Sequence, residues 1–192
     1  MLHASCLLWE NRALLLMAPH NTGKSTTALC LLQKGCRLLT DSMVFVSARE
    51  GIPLLMGFPV GRIKLRADMM AEFESLLECA AEEQVRDEVK YALDLSQVDE
   101  GLVERKAIRP DRIDLCVMER SGTLGEALSP LGARQVQANS LFYDSERVWQ
   151  RNLAQLGPVL ASARCHRLSI GLTGGPSESA VNGLWELLTE GE

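Results

Sequence analysis

The residues with the clearest chemical potential are Gly23, Lys24, Ser25 and Thr26. They close a polar loop, Pro19-His20-Asn21-Thr22, that follows the apolar run Leu14-Leu15-Leu16-Met17. Beyond them Ala28, Leu29, Leu31 and Leu32 recur at helical spacing. A strand, a loop and a helix in that order, with Gly-Lys-Ser at the junction, is the arrangement of a phosphate-binding loop. Successive backbone N–H groups curl round an anion, and the helix N-terminus adds roughly half a positive charge. Gly23 permits a backbone conformation that a side chain obstructs. The Lys24 ammonium can reach the β- and γ-phosphates of a nucleotide, and the Ser25 hydroxyl can ligate an Mg²⁺ that bridges them. The expected nucleotide contacts are therefore Ala18, His20, Asn21, Thr22, Gly23, Lys24, Ser25 and Thr26. Ala18 stands where the usual pattern has its first glycine; a left-handed backbone at that position would cost about 1 kcal/mol.

Carboxylates at strand ends are the next candidates. Asp41 ends the apolar stretch Cys36 to Thr40. There it can hold Mg²⁺ or orient an attacking hydroxyl. Glu119 ends the run Ile113 to Met118 and suits a metal or base role and a solvated strand end equally. Arg62, Lys64 and Arg66 alternate along a strand and share one face, which fits phosphate neutralisation or a charged sheet edge. Arg120 has a similar but weaker claim. Asp114 reads as a paired or edge-facing carboxylate, His166 as structural, and Glu82 to Glu88 as the solvated end of a helix.

The elements that must position these residues begin with a hairpin, Leu2 to Leu8 and Ala13 to Met17, turned at Glu10-Asn11-Arg12. A helix over Lys24 to Lys34 should stop at Gly35. Strands follow at Cys36 to Thr40 and Met43 to Val46. Gly51 to Arg66, with Pro53, Gly57, Pro59 and Gly61, should be irregular before the strand Arg62 to Arg66. A helix is expected over Ala67 to Ala81, and Tyr91 to Arg109 is weakly patterned. Later come strands at Ile113 to Met118 and His166 to Leu172, and a helix over Glu146 to Ala163 kinked at Gly157-Pro158. A closing helix, Ser177 to Leu188, turns Ala180, Val181, Leu184, Trp185 and Leu188 to one side. Mixed strand and helix patterns of this kind indicate an α/β domain.

Composition narrows the function classes. The chain has 192 residues, 46% hydrophobic and 23% charged, as ordinary globular domains have. A net charge of −5 argues against a general nucleic-acid binder, yet one loop can still bind phosphate. No apolar run approaches the ~18 residues of a membrane helix, and no basic leader precedes an apolar segment at the start. The six cysteines lack zinc-ligand spacing and read as reduced thiols. A cytoplasmic protein without nucleic-acid or membrane partners is the expectation.

The stretch from His3 to Val46 resembles the catalytic domain of HPr kinase/phosphorylase and its relatives. The likeness is carried by His3-Ala4, by Gly23-Lys24-Ser25-Thr26-Thr27-Ala28-Leu29 and by Lys34-Gly35-Cys36-Arg37-Leu38-Leu39-Thr40-Asp41-Ser42. Beyond residue 46 it is a looser pattern. The resemblance implies an α/β P-loop kinase fold of the HPr kinase and phosphoenolpyruvate-carboxykinase-like type, a mixed sheet with flanking helices. It would form one domain over 1–192 with its P-loop core in about residues 1–50. It also implies ATP and Mg²⁺ as cofactors and transfer of the γ-phosphoryl to a serine-type hydroxyl on a protein, peptide or small molecule. Asp41 would be the base and, with Ser25, a metal ligand; His3 would be a second catalytic residue, matching the family histidine near the active site. A homo-oligomer is implied too. The family's second aspartate is Ser42 here, and the glutamate that often follows Gly-Lys-Ser is Thr26. A nucleotide-binding module without kinase activity and an NTPase are the two alternatives.

Overall fold

The computed structural model describes residues 1–50, 52–85, 88–121, 127–133, 135–136 and 156–190. In chain order its strands are β1 (Leu2–Trp9), β2 (Arg12–Met17), β3 (Arg37–Thr40), β4 (Met43–Arg49), β5 (Ile52–Phe58), β6 (Arg62–Arg66), β7 (Ala80–Val85), β8 (Glu88–Asp94), β9 (Arg112–Arg120), β10 (Ala127–Pro130) and β11 (Arg164–Ile170). The helices are α1 (Lys24–Gln33), α2 (Ala67–Met70), α3 (Leu95–Val98) and α4 (Glu178–Thr189). Residues 156–162 are helical as well.

Among the described residues the main sheet has eight strands in the order β10-β11-β9-β2-β1-β4-β5, with β3 also paired to β1. β2, β9 and β11 run parallel, and the other pairings are antiparallel, so the sheet is mixed. Ala13 to Met17 are all buried because the sheet is covered on both faces, which is why this strand reads as one apolar run. Leu14, Leu16, Cys116, Met118, Leu168 and Ile170 face one core with Ala28, Leu29, Leu31 and Leu184 of the helices. Ala13, Leu15, Met17, Ile113, Leu115 and Val117 face the other, with Leu156 and Val159. A separate three-stranded sheet, β6-β8-β7, packs beside the first core.

The hairpin β1–β2 forms as expected, with Ala4 opposite Met17 and Trp9 opposite Arg12. Helix α1 ends at Gly35, whose φ of 102° lets the chain reverse while its N–H donates to Leu32 O. Ser177 caps α4 by accepting from the Ala180 N–H, and the predicted apolar face is turned inward.

Three expectations are corrected. Residues 52–58 are a strand, not irregular chain. β5 lies at the sheet edge, where Pro53 is tolerated. Gly57 is required because a Cβ there would lie 2.2 Å from Leu39 O. The helix expected over Ala67 to Ala81 is α-helical only to Met70. It continues as 3₁₀ turns over Ala71–Cys79, broken by non-helical backbone at Phe73. Glu82 to Val85 belong to strand β7 rather than to a helix end, because pairing with β8 overrides their helical preference. The weakly patterned segment from Tyr91 supplies the end of β8. The first part of the helix expected over Glu146 to Ala163 falls outside the described residues, and Gly157 and Pro158 lie within the helical stretch 156–162.

At the end of the sheet away from the phosphate loop, Asp114 is fully buried. It accepts from Arg164 at 2.8 Å and Arg112 at 3.2 Å, and His166 Nε2 lies 3.0 Å away. Arg12, Arg112 and Arg164 also donate to carbonyls of the last turn of α4, including Leu188 O and Leu187 O. Those groups lack partners within the helix and carry its negative end. Asp114 is thus a paired carboxylate, as expected, and His166 is one of its partners.

Candidate active site

Strand β2 delivers the chain to the loop at its C-terminal end, and α1 leads away from it. The loop turns through two left-handed residues, Asn21 at φ 61° and Gly23 at φ 114°. Asparagine and glycine are the residues that adopt this conformation most readily. Ala18 is not among the left-handed residues, so alanine costs nothing there. The Thr27 N–H and hydroxyl both bond Gly23 O at 2.9 Å and fasten the first turn of α1.

The Lys24 ammonium folds back along the loop, donating to Ala18 O at 2.9 Å and Pro19 O at 3.3 Å. Burial lowers its pKa, the Asp41 carboxylate opposes that, and Lys90 adds to it. Asp41 sits where β3 gives way to β4 and accepts two short hydrogen bonds. Ser25 Oγ donates to Oδ2 at 2.7 Å, and Ser5 Oγ donates to Oδ1 at 2.5 Å. Burial raises the Asp41 carboxyl to about 6, and the bonds from Ser5 and Ser25 and the charge of Lys24 hold it from rising further. His3 lies beside His20, ring centroids 4.9 Å apart. Burial, then Lys24 and His20, lowers its pKa to about 4, so its ring is neutral at pH 7.

These residues open into a cavity of about 680 Å³. Its walls include His3, His20, Asn21, Gly23, Lys24, Ser25, Thr26 and Asp41, which the fold therefore brings together. Ala18 and Thr22 do not line it: Ala18 contributes its carbonyl to Lys24, and the Thr22 hydroxyl turns back to Pro19 O. The far wall comes from the small sheet and α2. Arg62, Lys64 and Arg66 of β6 and Lys90 of β8 line it with Asp68. Arg62 and Lys64 share Glu83, and Arg66 pairs with Asp68. Lys90 donates to Asn21 Oδ1 at 3.3 Å and so ties the small sheet to the phosphate loop.

Arg120 also reaches the cavity, but its guanidinium binds backbone carbonyls: Gly171 O at 2.7 Å, Gly174 O at 3.0 Å and Asn21 O at 3.4 Å. Glu119 does not join the site. Alternation along β9 turns it to the opposite face from Arg120, where Ser169 Oγ donates to it at 3.1 Å.

Sequence reasoning missed Ser5 and Lys90. Ser5 is a lone hydroxyl in the largely apolar run Leu2 to Leu8, two positions from His3 and so on its face, and that pattern was a usable signal; the structure buries it fully. Lys90 carried none, because it falls between the acidic stretch Glu82 to Glu88 and the weakly patterned segment from Tyr91.

No family model matches the chain, and no curated protein matches it in sequence. Among solved structures it is similar to the HPr(Ser) kinase/phosphatase from Coxiella burnetii. The two are 12% identical at a TM-score of 0.48, over 97% of this chain and 91% of that chain. Among the described residues no helix is long and apolar enough to cross a membrane. No group of three or more His, Cys, Asp or Glu among them is placed to hold a metal.

Proposed function

We propose that the protein is an Mg²⁺-dependent kinase that moves the γ-phosphoryl of ATP to a serine-type hydroxyl. The observation that carries the reading is the convergence of Lys24, Ser25 and Asp41 on one basic cavity, with Asp41 joined to Ser25 at 2.7 Å. Six cations line that cavity in a protein of net charge −5. Lys24 and the N–H groups of the loop hold the phosphates. Ser25 and Asp41 offer one hydroxyl and one carboxylate oxygen. That set fits Mg²⁺, which binds through one or two carboxylates together with substrate phosphates and water. When bound, the ion neutralises charge on the β- and γ-phosphate oxygens.

The remaining chemistry belongs to the side chains. The acceptor oxygen forms a bond to the γ-phosphorus, the bond to the β-phosphate oxygen breaks, and ADP leaves. Asp41 takes the proton the hydroxyl gives up. A carboxyl titrating near 6 is ionised at neutral pH and basic enough to help. Lys64 and Arg66 offset the charge on the transferring group from the far wall.

The test is incubation with γ-labelled ATP, Mg²⁺ and panels of proteins, peptides and small hydroxyl compounds. Label transferred to an acceptor, and lost in Lys24→Ala and Asp41→Asn, supports the kinase. ATP binding without transfer to anything indicates a binding module. Phosphate release without an acceptor, at about 1–100 s⁻¹, indicates an NTPase.

A further inference from the structure

We propose that the loop after β11, residues 171–174, is the platform on which the nucleobase of the triphosphate lies. This rests on the reading of the cavity as a triphosphate site and adds where the rest of the nucleotide goes. Leu172 is 64% exposed. A lone exposed leucine is ordinary on a surface. This one lines the cavity, beside Thr173 and Gly174.

Topology gives the loop its place. In the sheet order β11-β9-β2-β1, the phosphate loop follows β2, and Asp41 follows β3, which pairs with β1. The loop after β11 therefore lies on one flank of the phosphate loop and Asp41 on the other. A nucleotide whose γ-phosphate faces Asp41 directs its base to the β11 flank. The contacts agree. A Cβ at Gly23 would lie 3.4 Å from Ile170 Cδ1, and one at Gly175 would lie 3.1 Å from Met69 Cε and 3.2 Å from Thr26 Cγ2. The chain leaving β11 thus runs against the start of α1.

Chemistry selects the same flank. The wall formed by β6 and Lys90 is charged and suits phosphate. A base is a flat ring of weakly polar faces and a polar edge, and it needs an apolar contact with hydrogen-bonding groups nearby. Leu172, with Met69 lining the same cavity, supplies the first; the Thr173 hydroxyl and the loop backbone supply the second. Arg120 fixes the loop before any ligand arrives, since one guanidinium bonds Gly171 O, Gly174 O and Asn21 O. A platform ordered in advance loses less freedom on binding.

Calorimetric titration with two probes, Mg²⁺–ATP and inorganic tripolyphosphate with Mg²⁺, tests this in wild type, Leu172→Ala and Leu172→Asp. The expected result is a loss of about tenfold in ATP affinity for Leu172→Ala, larger for Leu172→Asp, with tripolyphosphate affinity unchanged. Unchanged ATP affinity in both variants overturns the platform and leaves the triphosphate site standing. Equal loss of both probes also overturns it, because the loop then only props the phosphate loop. Wild type binding neither probe overturns the triphosphate reading and the platform with it.

Discussion

Asp41→Asn separates the functional value of this carboxylate from its structural cost. Burial lifts the Asp41 carboxyl from 3.8 to about 6. At 1.36 kcal/mol per pH unit, ionising it in the folded protein costs about 3 kcal/mol more than in the unfolded chain. Between these two values the folded state binds more protons than the unfolded state, so stability falls as pH rises from about 4 to about 6 and stays lowered above. The asparagine side chain has the same shape, accepts from Ser5 through its oxygen and is neutral at every pH. Stability measured by urea unfolding, without nucleotide or Mg²⁺, should shift toward the variant as pH rises. The difference between variant and wild type should move by about 2 kcal/mol between pH 4.5 and pH 7.5. Phosphoryl transfer by the variant should fall by about 10²–10⁴. Transfer requires Mg²⁺ beside Asp41, and the ion opposes the effect of burial, so in wild type the midpoint of the pH–rate profile should lie below about 6. A stability difference that is the same at both pH values refutes the argument from burial. A variant that transfers phosphate at the wild-type rate refutes the assignment of the base.

Other substitutions probe the supports of the site and of the fold. Ser5→Ala removes the donor that holds Asp41 Oδ1 at 2.5 Å. Because that bond lowers the Asp41 pKa, the midpoint of the pH–rate profile should move upward, and kcat should drop about tenfold while KM for ATP holds, with Ser5→Thr restoring part of the loss. Asp114→Asn leaves Arg112 and Arg164 without their buried carboxylate and should destabilise the fold by about 3–5 kcal/mol in urea unfolding. Gly57→Ala drives a Cβ to 2.2 Å from Leu39 O, so β5 must shift; thermal unfolding should show a loss of about 1–3 kcal/mol.

How much was legible in the sequence follows from where each signal lives. The segment from β1 through Asp41 is local: an apolar strand, a turn through Asn21 and Gly23, and a helix stopped at Gly35 are each specified by a few neighbouring residues. The small sheet is not local. Ala80 to Val85 read as helix by propensity and become strand only because β8 lies alongside. With β8 unseen, Lys90 could not be placed in the cavity, and β6 could be judged only as a charged edge. Side-chain parity decided the last strand ends: Glu119 and Arg120 are neighbours in sequence, and the pleat sends only Arg120 to the phosphate loop.

Asp114 and Asp41 show why burial alone does not mark a working carboxylate. Asp114 is the more enclosed by surface area, yet its pKa is lowered. Burial pushes it up, but His166, Arg164 and Arg112 outweigh that, so the charge is permanent and bound to three partners. Such a group holds strands and a helix end together and has no oxygen to offer. Asp41 lies near one cation, Lys24, and takes its hydrogen bonds from two neutral hydroxyls and the Lys64 backbone N–H. Its charge is only partly compensated, and its pKa rises. Uncompensated charge facing a basic cavity costs stability in the resting protein and is relieved by a cation or a proton. Asp41 is therefore the carboxylate of the two with an oxygen open to a cation or a proton, and Asp114 is not.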